Sequence, residues 1–141
     1  MVVFFVLALA TPANAARELP TVGDRIILPY GDQSFTAGEP FHIMHGWMVG
    51  PGELQAIGVF DFSLEIDGAV VDGLRYVIPD RTEDPGNVGR IFNFPEGMSG
   101  VHTFTGRWYM PCQYVYPEID CPEPNKQVEV MALSAIITFT P

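Results

Sequence analysis

The chain has 141 residues, 48% of them hydrophobic and 12% aromatic, with 17 acidic side chains against 7 basic ones and a formal net charge of −10. That apolar content excludes a disordered chain, and the length suits one domain with a core of its own. The acidity, with Lys126 as the only lysine, leaves no basic stripe to neutralise nucleic-acid phosphates, so no nucleic-acid partner is expected.

Met1 to Ala15 reads MVVFFVLALATPANA: an apolar run over Val2–Ala10, a helix-breaking Thr11-Pro12, then Ala13-Asn14-Ala15. This is the pattern of a signal-peptide core followed by an A-x-A cleavage site. The run is far short of the ~20 residues that span a bilayer as a helix, so it predicts a removable segment and not an anchor. The expected organisation is therefore a signal peptide at 1–15 and a single domain at 16–141. The mature chain is expected to be secreted or extracytoplasmic, with no membrane anchor.

From Ala16 onward helical spacing of apolar residues is nowhere sustained, and 14 glycines and 13 prolines punctuate the chain at short intervals. Short alternating runs between turn signals predict an all-β sandwich. In chain order the strands expected are Arg25–Tyr30, Phe41–Val49, Ala56–Ile66, Ala69–Val71, Gly73–Ile78, Val88–Phe94, Val101–Met110 and Val128–Thr140. Ala56–Ile66 carries the clearest period of two, with Phe60, Phe62, Leu64 and Ile66 on one face and Asp61, Ser63 and Glu65 on the other. Asp67-Gly68 follows and predicts a type I′ hairpin, whose central residues both need φ > 0. In Val101–Met110, Phe104 and Trp108 share a face with His102 and Met110. Phe60, Phe62, Leu64, Phe104 and Trp108 are thus expected in one common core. The last strand is long and its apolar face switches near Ala132, which predicts a bulge or bend there.

Two phrases carry a resemblance. Ala37-Gly38-Glu39-Pro40-Phe41 resembles the entry into the second strand of many secreted immunoglobulin-like modules. Ser99-Gly100-Val101-His102-Thr103-Phe104-Thr105-Gly106 resembles their sixth strand, with His102 where a tyrosine usually stands. The resemblance implies an immunoglobulin-like antiparallel β-sandwich of roughly seven to nine strands. It carries no function with it. Cysteines and tryptophans do not follow the antibody-type Cys…Trp…Cys spacing.

Three stretches hold residue types that could do chemistry. In His42-Ile43-Met44-His45-Gly46-Trp47-Met48, a strand would put His42, Met44 and Met48 on one face, and imidazole with thioethers is a ligand set suited to Cu(I). The competing reading is that the methionines fill core gaps. The spacing lacks the Glu of a zincin H-E-x-x-H. In Asp80–Asn87, acidic oxygens in a turn-rich loop could hold Ca²⁺, although the spacing is not that of an EF-hand. The third stretch lies between Cys112 and Cys121, the only cysteines, which in an exported chain are expected to form a disulfide. Closing so short a loop stabilises by about 2–3 kcal/mol in the chain-entropy model. Tyr114 and Tyr116 would lie on one side of the stapled tip with Glu118 and Asp120, and rigid amphipathic tyrosines on a fixed loop favour recognition.

None of the four serines lies in G-x-S-x-G, and no glycine-rich phosphate loop is present. The expectation is a secreted, non-catalytic interaction or structural module that needs no cofactor. Its contact residues are Tyr114, Tyr116, Glu118 and Asp120, and its partner is a protein or glycan at the cell surface. The alternative is an extracytoplasmic copper- or calcium-binding protein.

Overall fold

A computed structural model of the chain describes residues 19–26, 31–49, 59–78, 86–115 and 121–141. The expected signal peptide lies outside the described residues. Nine strands are found among them: β1 Asp24–Ile26, β2 Gln33–Thr36, β3 Phe41–Val49, β4 Asp61–Ile66, β5 Ala69–Val71, β6 Leu74–Ile78, β7 Gly86–Phe94, β8 Gly100–Pro111 and β9 Gln127–Thr140. One helical turn, α1 Cys112–Val115, follows β8. The strands form a four-stranded sheet in the order β1-β3-β7-β6 and a five-stranded sheet in the order β2-β9-β8-β4-β5. These two sheets pack as a β-sandwich.

The sheets are antiparallel except at two edge strands, which makes them mixed. β1 runs parallel to β3 and β2 runs parallel to β9. The cause is that β1 and β2 lie close together in sequence yet join edges of different sheets, so neither is tied to its neighbour by a hairpin. The β4–β5 hairpin forms as the sequence predicts: Asp67 and Gly68 have φ of 52° and 83°. Asp67, a residue type that tolerates positive φ, is held there by bonds to the neighbouring strand β8. Its N–H donates to the Thr103 carbonyl, and its Oδ1 accepts from the Thr103 N–H.

Period-2 alternation assigns the faces. Phe62 and Leu64 are buried on β4, Phe104 and Trp108 on β8, and Ala135, Ile137 and Phe139 on β9. Across the interface, Phe41 and Ile43 of β3 and Phe92 of β7 close the core. The core is not one cluster, however. Leu64 and Phe104 belong to a large cluster with Ile26, Phe41, Ile43, Phe92, Ala135, Ile137 and Phe139. Phe62 and Trp108 belong to a smaller one with Val88, against which Phe60 and Met131 pack. What stands beside the smaller cluster is a buried histidine, His45, only 2% exposed.

His45 bridges the sheets. Its Nε2 donates to the Arg107 carbonyl of β8 at 2.9 Å. Its ring meets Phe62 and Trp108 edge-on, with centroids 5.6 and 4.3 Å away. Trp108 bridges in the opposite sense, its indole N–H donating to the Gly46 carbonyl of β3 at 3.2 Å. Gly106 makes room for this pairing, because a Cβ there would sit 2.8 Å from His45 Cε1. A third bridge lies at the flank, where Arg90 of β7 pairs with Asp61 of β4 at 2.9 Å and also donates to the Gly73 carbonyl.

Part of the outer face of the four-stranded sheet is covered as well. His42, Tyr76 and Ile91 project away from the sandwich interior, and all three are buried. Tyr76 lies across the paired Gly46 and Gly89, with its hydroxyl donating to Asn87 Oδ1 at 2.9 Å. The segment Leu19–Val22 is tied to the same face. His42 Nδ1 donates to the Val22 carbonyl, Val22 N–H donates to Asn93 Oδ1, and Asn93 Nδ2 donates to the Pro20 carbonyl.

The face assignment predicts a sharp contrast between two truncations in the five-stranded sheet. Phe62→Ala empties a fully enclosed site and should cost about 3–5 kcal/mol. Ile136→Ala, on the exposed outer face of β9, should stay within about 0.5 kcal/mol of the parent. Urea unfolding of the two variants measures both, and equal losses would overturn the assignment.

Candidate functional site at the disulfide-closed tip

β8 and β9 are the longest strands, and the turn between them is where the two cysteines meet. Their disulfide joins Cα atoms 6.0 Å apart. Pro111 ends β8 and is buried, and α1 begins at once with Cys112. The returning chain is bonded to this turn at each step. Cys112 N–H donates to the Lys126 carbonyl at 2.9 Å, Gln113 N–H to the Pro124 carbonyl at 3.1 Å, and Lys126 N–H to the Glu123 carbonyl at 2.9 Å. Gln113 Nε2 donates to Asn125 Oδ1 at 3.0 Å. Gln127 Nε2 reaches out of β9 to the Val59 carbonyl at 2.9 Å, tying the base of the tip to the chain entering β4.

On this fixed turn Tyr114 is 48% exposed. Tyr116, Glu118 and Asp120 lie outside the described residues. The oxidised cysteine pair is compatible with an extracytoplasmic protein. Among the described residues no helix is long and apolar enough to cross a membrane.

Below the tip the β8–β9 ladder changes register. Trp108 pairs with Met131 and Tyr109 with Glu129, so Val130 is the extra residue of a bulge. The bend expected near Ala132 therefore sits two residues earlier. Directly beneath it Arg107 is clasped by two carboxylates on the outer face of the sheet. Glu65 Oε1 accepts from Nε at 2.9 Å and Glu129 Oε2 from Nη1 at 2.8 Å. The two carboxylates raise the Arg107 pKa further above its ordinary value. Ser63 and Tyr109 hydroxyls lie 3.3 Å apart on the same face.

The copper candidates do not converge. His42, Met44 and Met48 do lie on one face of β3, but an extended strand advances ~3.3 Å per residue, which separates His42 from Met48 by ~20 Å. His42 is buried with its Nδ1 bonded to Val22, whereas Met48 is 68% exposed. Of the acidic loop Asp80–Asn87, only Gly86 and Asn87 are described, as the start of β7. Among the described residues no three His, Cys, Asp or Glu side chains are grouped to hold a metal ion.

Sequence reasoning missed the roles of two histidines. His45 falls on the core face by alternation, but its acceptor lies on a strand more than sixty residues away. His102, standing where the resemblance expects tyrosine, still bonds to backbone just upstream: Nε2 donates to the Ser99 carbonyl at 2.9 Å. Its Nδ1 donates to Asp67 Oδ2 at 2.7 Å. Both partners only accept, so the imidazolium, with two N–H donors, satisfies both.

The two environments shift the histidines in opposite directions. Burial lowers the His45 pKa below 6.5, its bond to the Arg107 carbonyl opposing. The hydrogen bond to Asp67, aided by Ser99, raises that of His102 above 6.5 and lowers that of Asp67 below 3.8.

The signs follow from proton linkage. Between its folded pKa and 6.5, His45 is protonated only in the unfolded chain. Its contribution is therefore complete above 6.5 and falls as pH drops through that window. Above 6.5 and up to its folded pKa, His102 is protonated only in the folded chain. Its contribution is complete below 6.5, until Asp67 protonates, and is lost as pH rises through the folded pKa. Imidazole resonances followed by NMR should titrate below 6.5 for His45 and above it for His102. His102→Gln should remove the loss of stability on the alkaline side, weaken the part of the acid dependence that comes from Asp67, and leave the decline through the His45 window unchanged. Titration in the reverse order would contradict the geometry.

No protein-family model matches the chain, and no curated protein or solved structure matches it either.

Proposed function

We propose that the chain is a secreted, non-catalytic recognition module of immunoglobulin-like arrangement, and that the disulfide-held tip between β8 and β9 is its contact element. The arrangement is supported by strand order. β3-β7-β6 facing β9-β8-β4-β5 follows the B-E-D and G-F-C-C′ orders of a variable-type immunoglobulin domain. The two sequence phrases that resemble such modules fall at the entry to β3 and along β8, where that reading requires them.

The observation that carries the recognition role is the exposure of Tyr114 on a turn held by a disulfide and by backbone bonds to Pro124 and Lys126. An aromatic side chain on such a turn has little freedom left to lose, so more of its contact energy survives as affinity. Tyr116, Glu118 and Asp120 complete the proposed contact set. The acids, with a chain charge of −10, favour a cationic or neutral partner, either a basic protein surface or a glycan at the cell surface.

Tyr114→Ala should shift unfolding free energy by less than about 0.5 kcal/mol, because the side chain is half exposed. The same substitution should abolish binding of the labelled, multimerised domain to intact cells. Thr105→Ala, on the outer face of the five-stranded sheet, should retain it. Cell binding that survives Tyr114→Ala would overturn the assignment of the tip.

A further inference from the structure

The chain carries two Asp-Gly dipeptides close together, Asp67-Gly68 and Asp72-Gly73. Asp-Gly is the dipeptide most prone to close on itself, because glycine places no side chain beside its backbone nitrogen. That nitrogen attacks the aspartyl Cγ and loses its proton, a carboxyl oxygen leaves as water, and a five-membered succinimide forms. Water then adds back at one of the two ring carbonyls. Addition at Cγ restores aspartate. Addition at the α-carbonyl gives isoaspartate, whose main chain runs through Cβ and Cγ and is one atom longer. The mass is unchanged, and no oxidant or co-reactant other than water is needed.

The two sites are alike in sequence, since each aspartate follows a β-branched residue, Ile66 or Val71, and precedes glycine. The fold needs both glycines. Gly68 has a φ of 83°, and a Cβ on Gly73 would sit 2.5 Å from a ring carbon of Phe92.

The carboxylates are held differently. Asp67 Oδ1 accepts from the Thr103 N–H at 2.9 Å and Oδ2 from His102 Nδ1 at 2.7 Å. To reach the Gly68 nitrogen this carboxyl must leave both donors. Both donors also favour the ionised form, from which an oxygen does not leave as water. Giving up even one such charge-assisted bond slows closure about tenfold or more. Asp72 lies in the short connection that carries the chain from β5 in one sheet to β6 in the other. It is exposed and has no hydrogen-bond or ion-pair partner among the described residues. Nothing there holds its carboxyl away from the Gly73 nitrogen.

We propose that Asp72 is a site of spontaneous isoaspartate formation, and that the clamp of His102 and Thr103 spares Asp67 the same modification. The added main-chain atom falls beside the Gly73 carbonyl, which accepts from Arg90 Nη1 at 3.1 Å. The lesion therefore bears on the Arg90–Asp61 bridge between the sheets. The site is independent of the tip and does not rest on the recognition role assigned there.

The test ages the full chain at neutral pH and physiological temperature. Isoaspartate is then located by mass spectrometry with electron-transfer fragmentation, which cleaves its Cα–Cβ bond. Isoaspartate should accumulate at Asp72 about tenfold or more faster than at Asp67. In urea, where neither carboxyl is held, the two sites should age at similar rates. Asp72→Glu, which cannot close a five-membered ring, should remove the modification at that position. His102→Phe, which keeps a ring but has no donor, should speed modification at Asp67 several-fold and leave Asp72 unchanged. Phe62→Leu loosens the core without touching the clamp and should leave Asp67 as slow as in the parent. Equal rates at the two sites in the folded chain, or no modification at Asp72, would overturn the proposal. A slow Asp67 in urea, or in His102→Phe, would remove the role of the clamp, and so would a fast Asp67 in Phe62→Leu.

Discussion

Two hydrogen bonds that cross between the sheets in opposite directions set the terms for the rest of the sandwich. His45 gives an N–H from β3 to a carbonyl of β8, and Trp108 gives an N–H from β8 to a carbonyl of β3. A polar group buried without a partner costs about 1–3 kcal/mol, so each of these side chains is tolerable only where the facing sheet offers an acceptor. The pair therefore specifies how the sheets sit on one another, which apolar contacts alone do loosely. It also dictates Gly106, since a side chain there would fill the space of the imidazole. Among the described residues no buried side-chain nitrogen or oxygen lacks a partner, so this polar layer is satisfied throughout.

The layer also divides the molecule into two ends with different chemistry. On one side the small cluster of Phe62, Val88 and Trp108 underlies the bulge at Val130, the Arg107 clasp and the disulfide-closed tip. On the other, the large cluster ends in the stacked rings of Phe41, Phe94 and Phe139. β8 and β9 run the full distance between the two. His102 and Asp67 lock the β4–β5 hairpin to β8 at the half of that ladder away from the tip, and Arg90 with Asp61 locks β7 to β4 nearer the tip half.

Much of the architecture was legible where the period of two was long. β3 spans the residues its alternation predicts, β5 does the same, and β6 to β9 differ from expectation by one or two residues at their ends. Asp67-Gly68 announced its hairpin because few other residues accept two successive positive φ angles. β2 was missed for a physical reason: Gln33-Ser34-Phe35-Thr36 has one apolar residue, too few to show a period, and it is stabilised by parallel pairing to a strand a hundred residues away. Non-local pairing explains the other misses too. Whether His45 is a core residue, a ligand or a cap depends on what faces it, and Arg107 and Gly106 carry no mark of that role in the sequence. At the tip, composition pointed to Tyr114, whose exposure depends on the turn that the disulfide and the Pro124 and Lys126 carbonyls define.

His45 is a neutral, sheet-bridging donor. Arg107 offers only a carbonyl, so Nε2 must carry the proton, and burial keeps the ring uncharged. Long-range ¹H–¹⁵N correlation of the imidazole at neutral pH distinguishes the states directly. The Nε2–H tautomer of His45 is expected, with an unprotonated Nδ1 and an Nε2 proton protected from exchange with water. An Nδ1–H tautomer, an imidazolium, or a rapidly exchanging ring proton would contradict it.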